Sequence, residues 1–71
     1  MKPIRLALRR RLHDYAAFAR ENGRINRFDM ARIGKVSITQ ASADVKALVE
    51  HYPSLKLEYD TSKKTFVMKG S

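Results

Sequence analysis

The stretch that decides the fold runs from residue 26 to residue 44 and reads NRFDMARIGKVSITQASAD. Asn26 is a residue type that caps helix N-termini, and Asp29 follows at the third helical position, where a carboxylate suits the helix dipole. Gly34 is expected to end this helix because glycine weakens helical structure. The first part of the stretch therefore predicts a short helix over about 27–33.

A longer helix is predicted after a turn of about four residues. Ser37 is a second N-cap signal, and Pro53 ends the helix because the residue before a proline is disfavoured in helical conformation. Between them, apolar side chains recur at spacings of three and four, which places them on one inward stripe. These side chains are Ile38, Ala41, Val45, Leu48 and Tyr52. The pattern predicts a helix over about 38–52.

Another amphipathic helix precedes this pair. Pro3 suits the first turn of a helix, and Gly23 supplies the left-handed residue that commonly ends one. The apolar positions between them again follow a helical period: they are Ile4, Leu8, Leu12, Tyr15 and Ala19. The pattern predicts a helix over about 3–22, with arginines on its outer face.

After Pro53 the apolar period changes from 3.6 to 2, which is typical of strands. Leu55, Leu57 and Tyr59 alternate with charged residues, and a second β-prone run follows a polar segment at 60–64. This predicts a β-hairpin over about 55–69. The whole chain, 1–71, is thus expected to form one α+β domain, a winged helix-turn-helix of three helices followed by a two-stranded β-hairpin wing.

Composition limits the classes of function. The chain has 71 residues, no Cys and 44% apolar residues, which is enough for one folded core. No apolar run approaches a membrane span or a signal peptide, so a cytoplasmic location is expected. His13 and His51 have no argued Ser or carboxylate partner and make no metal cluster. We therefore expect neither an enzyme nor a metal or other cofactor.

Positive charge is concentrated in the first half of the chain. The net charge is +8, and residues 1–35 hold 10 basic and 3 acidic residues, whereas residues 36–71 hold 5 and 4. A polyanion is the expected partner, with nucleic acid first and an anionic membrane surface second. A solvated helix face kept soluble by arginine is the alternative.

In a winged helix-turn-helix, the third helix enters the major groove and its outward side chains meet base edges. Here those positions are small or polar, which permits close approach: they are Thr39, Gln40, Ser42, Ala43 and Lys46. Gln40 can pair with adenine through two hydrogen bonds. Asp44 is the acidic exception, and it is expected on the flank of the helix, paired locally or facing a basic neighbour.

Phosphate contacts are expected around the turn and at the hairpin tip, where they position the protein without reading sequence. The residues are Arg27, Arg32, Lys35, Ser37, Lys63 and Lys64. An ordinary solvated second helix and an ordinary polar hairpin tip are the alternatives for the charged ones.

These motifs resemble a known family over about two-thirds of the chain. The segments RINRFDMARIGKVS (24–37), SITQASAD (37–44) and LEYDTSKKTFV (57–67) are similar to the N-terminal winged helix-turn-helix of bacterial WYL-domain transcription regulators. The resemblance implies that Asn26, Arg27 and Asp29 belong to a backbone-contacting second helix. It places Ser37, Gln40, Ala41, Ser42 and Asp44 on the recognition helix. It also implies that Asp60, Ser62 and Phe66 shape the wing.

The effector-sensing domain of that family has no counterpart here, so no small-molecule effector is inferred. The chain is expected to be a freestanding phage- or plasmid-type regulator or an excised domain, bacterial or phage-encoded and nucleoid-associated. Its expected partner is double-stranded DNA, and its most direct function is that of a repressor binding an inverted repeat as a homodimer. Helix one, through its apolar stripe or through Phe18 and Leu6, is the expected dimer contact. The alternative is a protein-interaction module, because winged helices also serve as scaffolds.

Overall fold

The computed structural model describes residues 5–69. It confirms the α+β class and the three helices before the hairpin. The elements in chain order are α1 (Leu6–Asn22), β1 (Arg24–Ile25), α2 (Arg27–Gly34), α3 (Ile38–His51), a 3-10 turn (Pro53–Leu55), β2 (Leu57–Asp60) and β3 (Thr65–Met68). The predicted start of the first helix at Pro3 lies outside the described residues.

The sheet has three antiparallel strands in the order β1-β3-β2, so the prediction of a two-stranded wing was incomplete. Gly23, with φ 75°, ends α1 in the left-handed conformation, and the chain leaves it extended. Arg24 then pairs with Val67 and Ile25 with Phe66. A two-residue strand is too short to show an alternating pattern, and for that reason sequence periodicity missed it.

The hairpin itself is shorter than predicted. Pro53 begins a 3-10 turn, and Leu55, which was expected to start the alternating strand pattern, lies in this turn and is buried in the core. β2 therefore begins at Leu57, and on the hairpin Tyr59 pairs with Phe66, their ring centroids 4.9 Å apart. The pairing fixes the register of the wing.

Both predicted N-caps are present. The backbone N–H of Asp29 donates to Asn26 Oδ1 at 2.8 Å, and the backbone N–H of Asn26 donates to the Asp29 carboxylate at 3.4 Å. The two bonds together make a capping box. The backbone N–H of Gln40 donates to Ser37 Oγ at 3.1 Å. These caps define the two ends of the turn between α2 and α3.

Gly34 does not end α2 in the way that was predicted. It is the last helical residue, and the left-handed position is Lys35, with φ 55°. Gly34 is required for a different reason, because a Cβ at this position would lie 2.5 Å from the Tyr15 hydroxyl and 2.9 Å from Arg11 Cδ. The glycine lets the end of α2 lie directly on α1.

The core lies between the three helices and one side of the sheet. Its buried apolar residues are Leu12, Tyr15, Ala16, Ala19, Ile25, Met30, Ala41, Leu48 and Leu55. Leu12, Tyr15 and Ala19 of the predicted α1 stripe are buried, and Ile4 lies outside the described residues. The predicted α3 stripe is also inside, since Ala41 and Leu48 are buried and Val45 and Tyr52 pack against the core. Two positions of α3 differ from the prediction. Ile38, expected inward, is 39% exposed, whereas Asp44, expected on the flank, is only 2% exposed. Within residues 5–69, no helix has the length and apolarity needed to cross a lipid bilayer.

Candidate nucleic-acid interface

The outward face of α3 carries the five residues predicted to read bases. All five are exposed to solvent: they are Thr39, Gln40, Ser42, Ala43 and Lys46. Three of them lie in the first turn and a half of the helix, immediately after the Ser37 cap. This end of α3 therefore presents short, mostly uncharged side chains to any partner that approaches it.

A buried carboxylate lies directly behind this face. Asp44 accepts hydrogen bonds from Arg11 Nε at 2.8 Å and from the Tyr15 hydroxyl at 2.8 Å, both on Oδ2. Its Oδ1 accepts from Arg11 Nη2 at 3.1 Å and from Gln40 Nε2 at 2.9 Å. Each carboxylate oxygen thus has two donors, and we call these four residues the Asp44 network.

The network keeps the carboxylate charged. Burial alone would raise the pKa of Asp44, but hydrogen bonds from Arg11, Gln40 and Tyr15 together lower that pKa below its ordinary value. Burial, followed by the hydrogen bond to Asp44, raises the pKa of the Tyr15 phenol, so the hydroxyl stays a donor at neutral pH. The geometry links α1 to α3 through charge-assisted bonds.

The residues predicted to contact phosphate are all exposed, but they have different surroundings. Arg32 Nη2 lies 3.2 Å from Asp29 Oδ1, in an exposed pair within α2. The Arg27 guanidinium lies 5.5 Å from the centroid of the Phe28 ring. Lys35 occupies the left-handed position at the turn. Arg32 is therefore partly neutralised by its neighbour, whereas Arg27 lies at the edge of an aromatic surface.

That surface is a groove lined by α2, α3 and the wing, with a volume of about 290 Å³. Phe28, which is 62% exposed, and Tyr59, which is 50% exposed, contribute its aromatic surface. Ser42 lines it from α3, and Arg27 and Lys64 add positive charge. We call this feature the aromatic groove. Ser42, a predicted base-reading residue, thus lines the same groove as Arg27 and Lys64, two predicted phosphate-binding residues.

The two lysines at the hairpin tip do not share one surface. Lys64 lines the aromatic groove, but Lys63 lines a separate depression beside the start of α2. Asp60 shapes the tip, since one of its oxygens accepts the backbone N–H groups of Ser62 at 2.9 Å and Lys63 at 3.2 Å. Lys64 itself has φ 53°, which completes the reversal of the chain. Of the two, Lys64 is the one that shares a groove with α3.

Sequence reasoning missed Arg11, Tyr15 and Gly34 as supports of this site. The prediction of arginines on the outer face of α1 did not separate Arg11 from its neighbours, although Arg11 lies one turn before the inward residue Tyr15 and so shares its face. A buried tyrosine hydroxyl needs a partner, and that requirement was the available signal. The exposure of Phe28 was also missed, because a single aromatic residue in a short helix is ordinarily expected in the core.

No protein-family model matches the chain, and no curated protein matches it in sequence.

Proposed function

We propose that the chain is a sequence-specific double-stranded DNA-binding domain of a transcription regulator, of the kind that precedes the WYL domain in bacterial regulators. α3 lies in the major groove and the wing lies on the backbone or in the minor groove. The most direct regulatory outcome is repression by occupancy of an inverted-repeat operator. The protein acts in the cytoplasm, at the nucleoid, and uses no cofactor.

The observation that carries the proposal is the placement of a small, polar, exposed helix face beside positive charge. Thr39, Gln40 and Ser42 can approach base edges without a bulky obstacle, and Arg27 and Lys64 flank Ser42 on the aromatic groove. Side chains that read bases and side chains that hold phosphates are thus adjacent, as DNA recognition requires.

Selection of bound sequences from random duplex DNA, followed by an anisotropy titration of the selected duplex, tests the proposal. We expect one enriched motif and an affinity that falls with salt, with a slope of about −2.7 to −4.5 in log K against log salt concentration if three to five phosphates are contacted. An absence of binding at low salt, or binding with no enriched motif, contradicts the proposal.

The hairpin tip offers a matched pair of variants. Lys64→Ala removes a charge beside α3, whereas Lys63→Ala removes the same charge from the neighbouring depression. We expect Lys64→Ala to weaken binding to all sequences and to reduce the salt slope by about one, with a smaller effect for Lys63→Ala. Equal effects of the two variants would show that the tip does not bind through the groove side.

A homodimer is part of the proposal because a single module reads few base pairs. Leu12 and Tyr15 of the α1 stripe are buried in the protein's own core, and Phe18 is half-buried against it. Leu6 is exposed and is the large apolar residue of the described part of α1 that remains for a contact. Sedimentation on the selected duplex should give two copies per operator; one copy would refute the dimer.

A second candidate function is favoured by the aromatic groove. An exposed apolar surface is typical of protein docking, and Phe28 and Tyr59 provide one. The partner would be an acidic peptide with an apolar anchor, because Arg27 and Lys64 lie on the same groove. Binding of acidic peptides that is lost in Phe28→Ser, together with no DNA affinity at low salt, would favour this function over the first.

A further inference from the structure

Gln40 differs from the other exposed polar residues of α3 because its side chain is held from behind. Its Nε2 donates to Asp44 Oδ1 at 2.9 Å. A carboxylate only accepts hydrogen bonds, so Asp44 selects the nitrogen of the amide and turns Oε1 away from itself. Among the residues that the structure describes, Thr39 and Ser42 have no side-chain hydrogen bond of this kind.

Asp44 is itself held in place. It is 2% exposed, and its other three bonds come from Arg11 and Tyr15, side chains of α1. Its orientation is therefore fixed by the packing of α1 on α3, and not by the partner that α3 meets. An acceptor fixed in this way can orient an exposed amide that would otherwise turn freely.

We propose that Asp44 is a positioning residue that sets the base preference of Gln40. An amide nitrogen has two N–H groups, and Asp44 takes one of them. The side chain then offers one acceptor and one donor, which matches N6 and N7 of adenine in the major groove. Guanine presents two acceptors there, O6 and N7. Pairing with both would need both N–H groups of the Gln40 amide, and Asp44 already holds one of them. This inference rests on the proposed DNA-binding function.

The experiment compares base preferences selected from random duplexes by the wild type, Gln40→Ala, Asp44→Asn and Tyr15→Phe. The base pair that Gln40 reads is the one whose preference disappears in Gln40→Ala. At that pair we expect the wild type to prefer adenine over guanine by about tenfold or more, and Asp44→Asn to reduce this to less than about threefold. A purely structural role of Asp44 would instead weaken binding to all bases alike.

Tyr15→Phe is the matched control. It removes a bond to Oδ2 and leaves the bond between Oδ1 and Gln40, so stability should fall while the base preference is retained. If the wild type enriches a motif but Asp44→Asn keeps the full preference for adenine, the positioning role is wrong and the DNA-binding function stands. If the wild type enriches no motif, both the function and the positioning role are wrong.

A measurement without DNA covers the case in which Asp44→Asn does not fold. Gln40 is the sole glutamine of the chain, so its side-chain amide can be observed by glutamine-selective labelling and nuclear magnetic resonance. We expect a restricted side-chain amide in the wild type and in Tyr15→Phe. An amide as mobile as that of a free side chain, with an order parameter below about 0.6, would overturn the proposal.

Discussion

Gly34→Ala is expected to destabilise the protein although alanine is the better helix former. The added Cβ would lie 2.5 Å from the Tyr15 hydroxyl and 2.9 Å from Arg11 Cδ. Overpacking of this kind costs about 1–3 kcal/mol, and the gain in helix propensity returns at most about 1 kcal/mol. The middle of the overpacking range is about 2 kcal/mol, and subtracting a gain of at most about 1 kcal/mol leaves an expected net loss of about 1–2 kcal/mol in the free energy of unfolding.

Urea unfolding followed by circular dichroism measures this loss. With a slope of about 1 kcal/mol per molar urea for a domain of this size, the midpoint should fall by about 1–2 M. Tyr15→Phe alone removes a hydrogen bond to a buried charge and should cost about 1.5–3 kcal/mol. Tyr15→Phe also removes the hydroxyl oxygen, which is the atom nearest to the Cβ that Gly34→Ala adds. Gly34→Ala should therefore cost about 1 kcal/mol less in the Tyr15→Phe protein than in the wild type.

Gly23→Ala is the control for this cycle. Its added Cβ would meet nothing within 4 Å, but its φ of 75° is unfavourable for alanine. It should cost about 1 kcal/mol, and the cost should be the same with or without the Tyr15 hydroxyl. A Gly34→Ala protein as stable as the wild type, or an equal cost in both backgrounds, would refute the close-packing argument.

Three further outcomes follow from the same structure. Because the pKa of Asp44 is lowered in the folded state, its contribution to stability is present above the ordinary aspartate pKa and is lost as pH falls from there through the lowered pKa of the folded protein. Urea midpoints should therefore drop in acid, and less so in Asp44→Asn. Asn26→Ala removes the acceptor of the α2 cap and should cost about 1 kcal/mol by the same assay, whereas no loss would contradict the cap's role. Lys56→Gly replaces a residue at φ 50° and should raise the melting temperature by calorimetry, and a fall would show that the left-handed position causes no strain.

Local signals predicted most of the fold. Asn26 and Ser37 are caps whose chemistry acts within three residues, so sequence alone was enough to place the starts of α2 and α3. Strand β1 could not be found in this way, because Arg24 and Ile25 are a strand only through pairing with β3, more than 40 residues later. Tertiary pairing has no local pattern when the strand is so short.

In the candidate site, too, some features follow from local sequence and others depend on tertiary contacts. The exposed positions of α3 follow from helical periodicity, but the burial of Asp44 and the exposure of Ile38 do not. The burial of Asp44 depends on Arg11 of α1, whose charge compensates a carboxylate that was expected on the flank of the helix. A periodic pattern of apolar residues does not reveal a buried polar residue whose hydrogen-bond donors lie in another helix.

The strand order has a consequence for how the protein is made. β3 follows the other elements in the chain and lies between β1 and β2, so neither outer strand has a partner until residues 65–68 have left the ribosome. The contacts among the three helices involve no residue beyond His51, so they do not depend on β3. A chain cut before residue 65 could still bring its helices together, but it would lose both strand pairings.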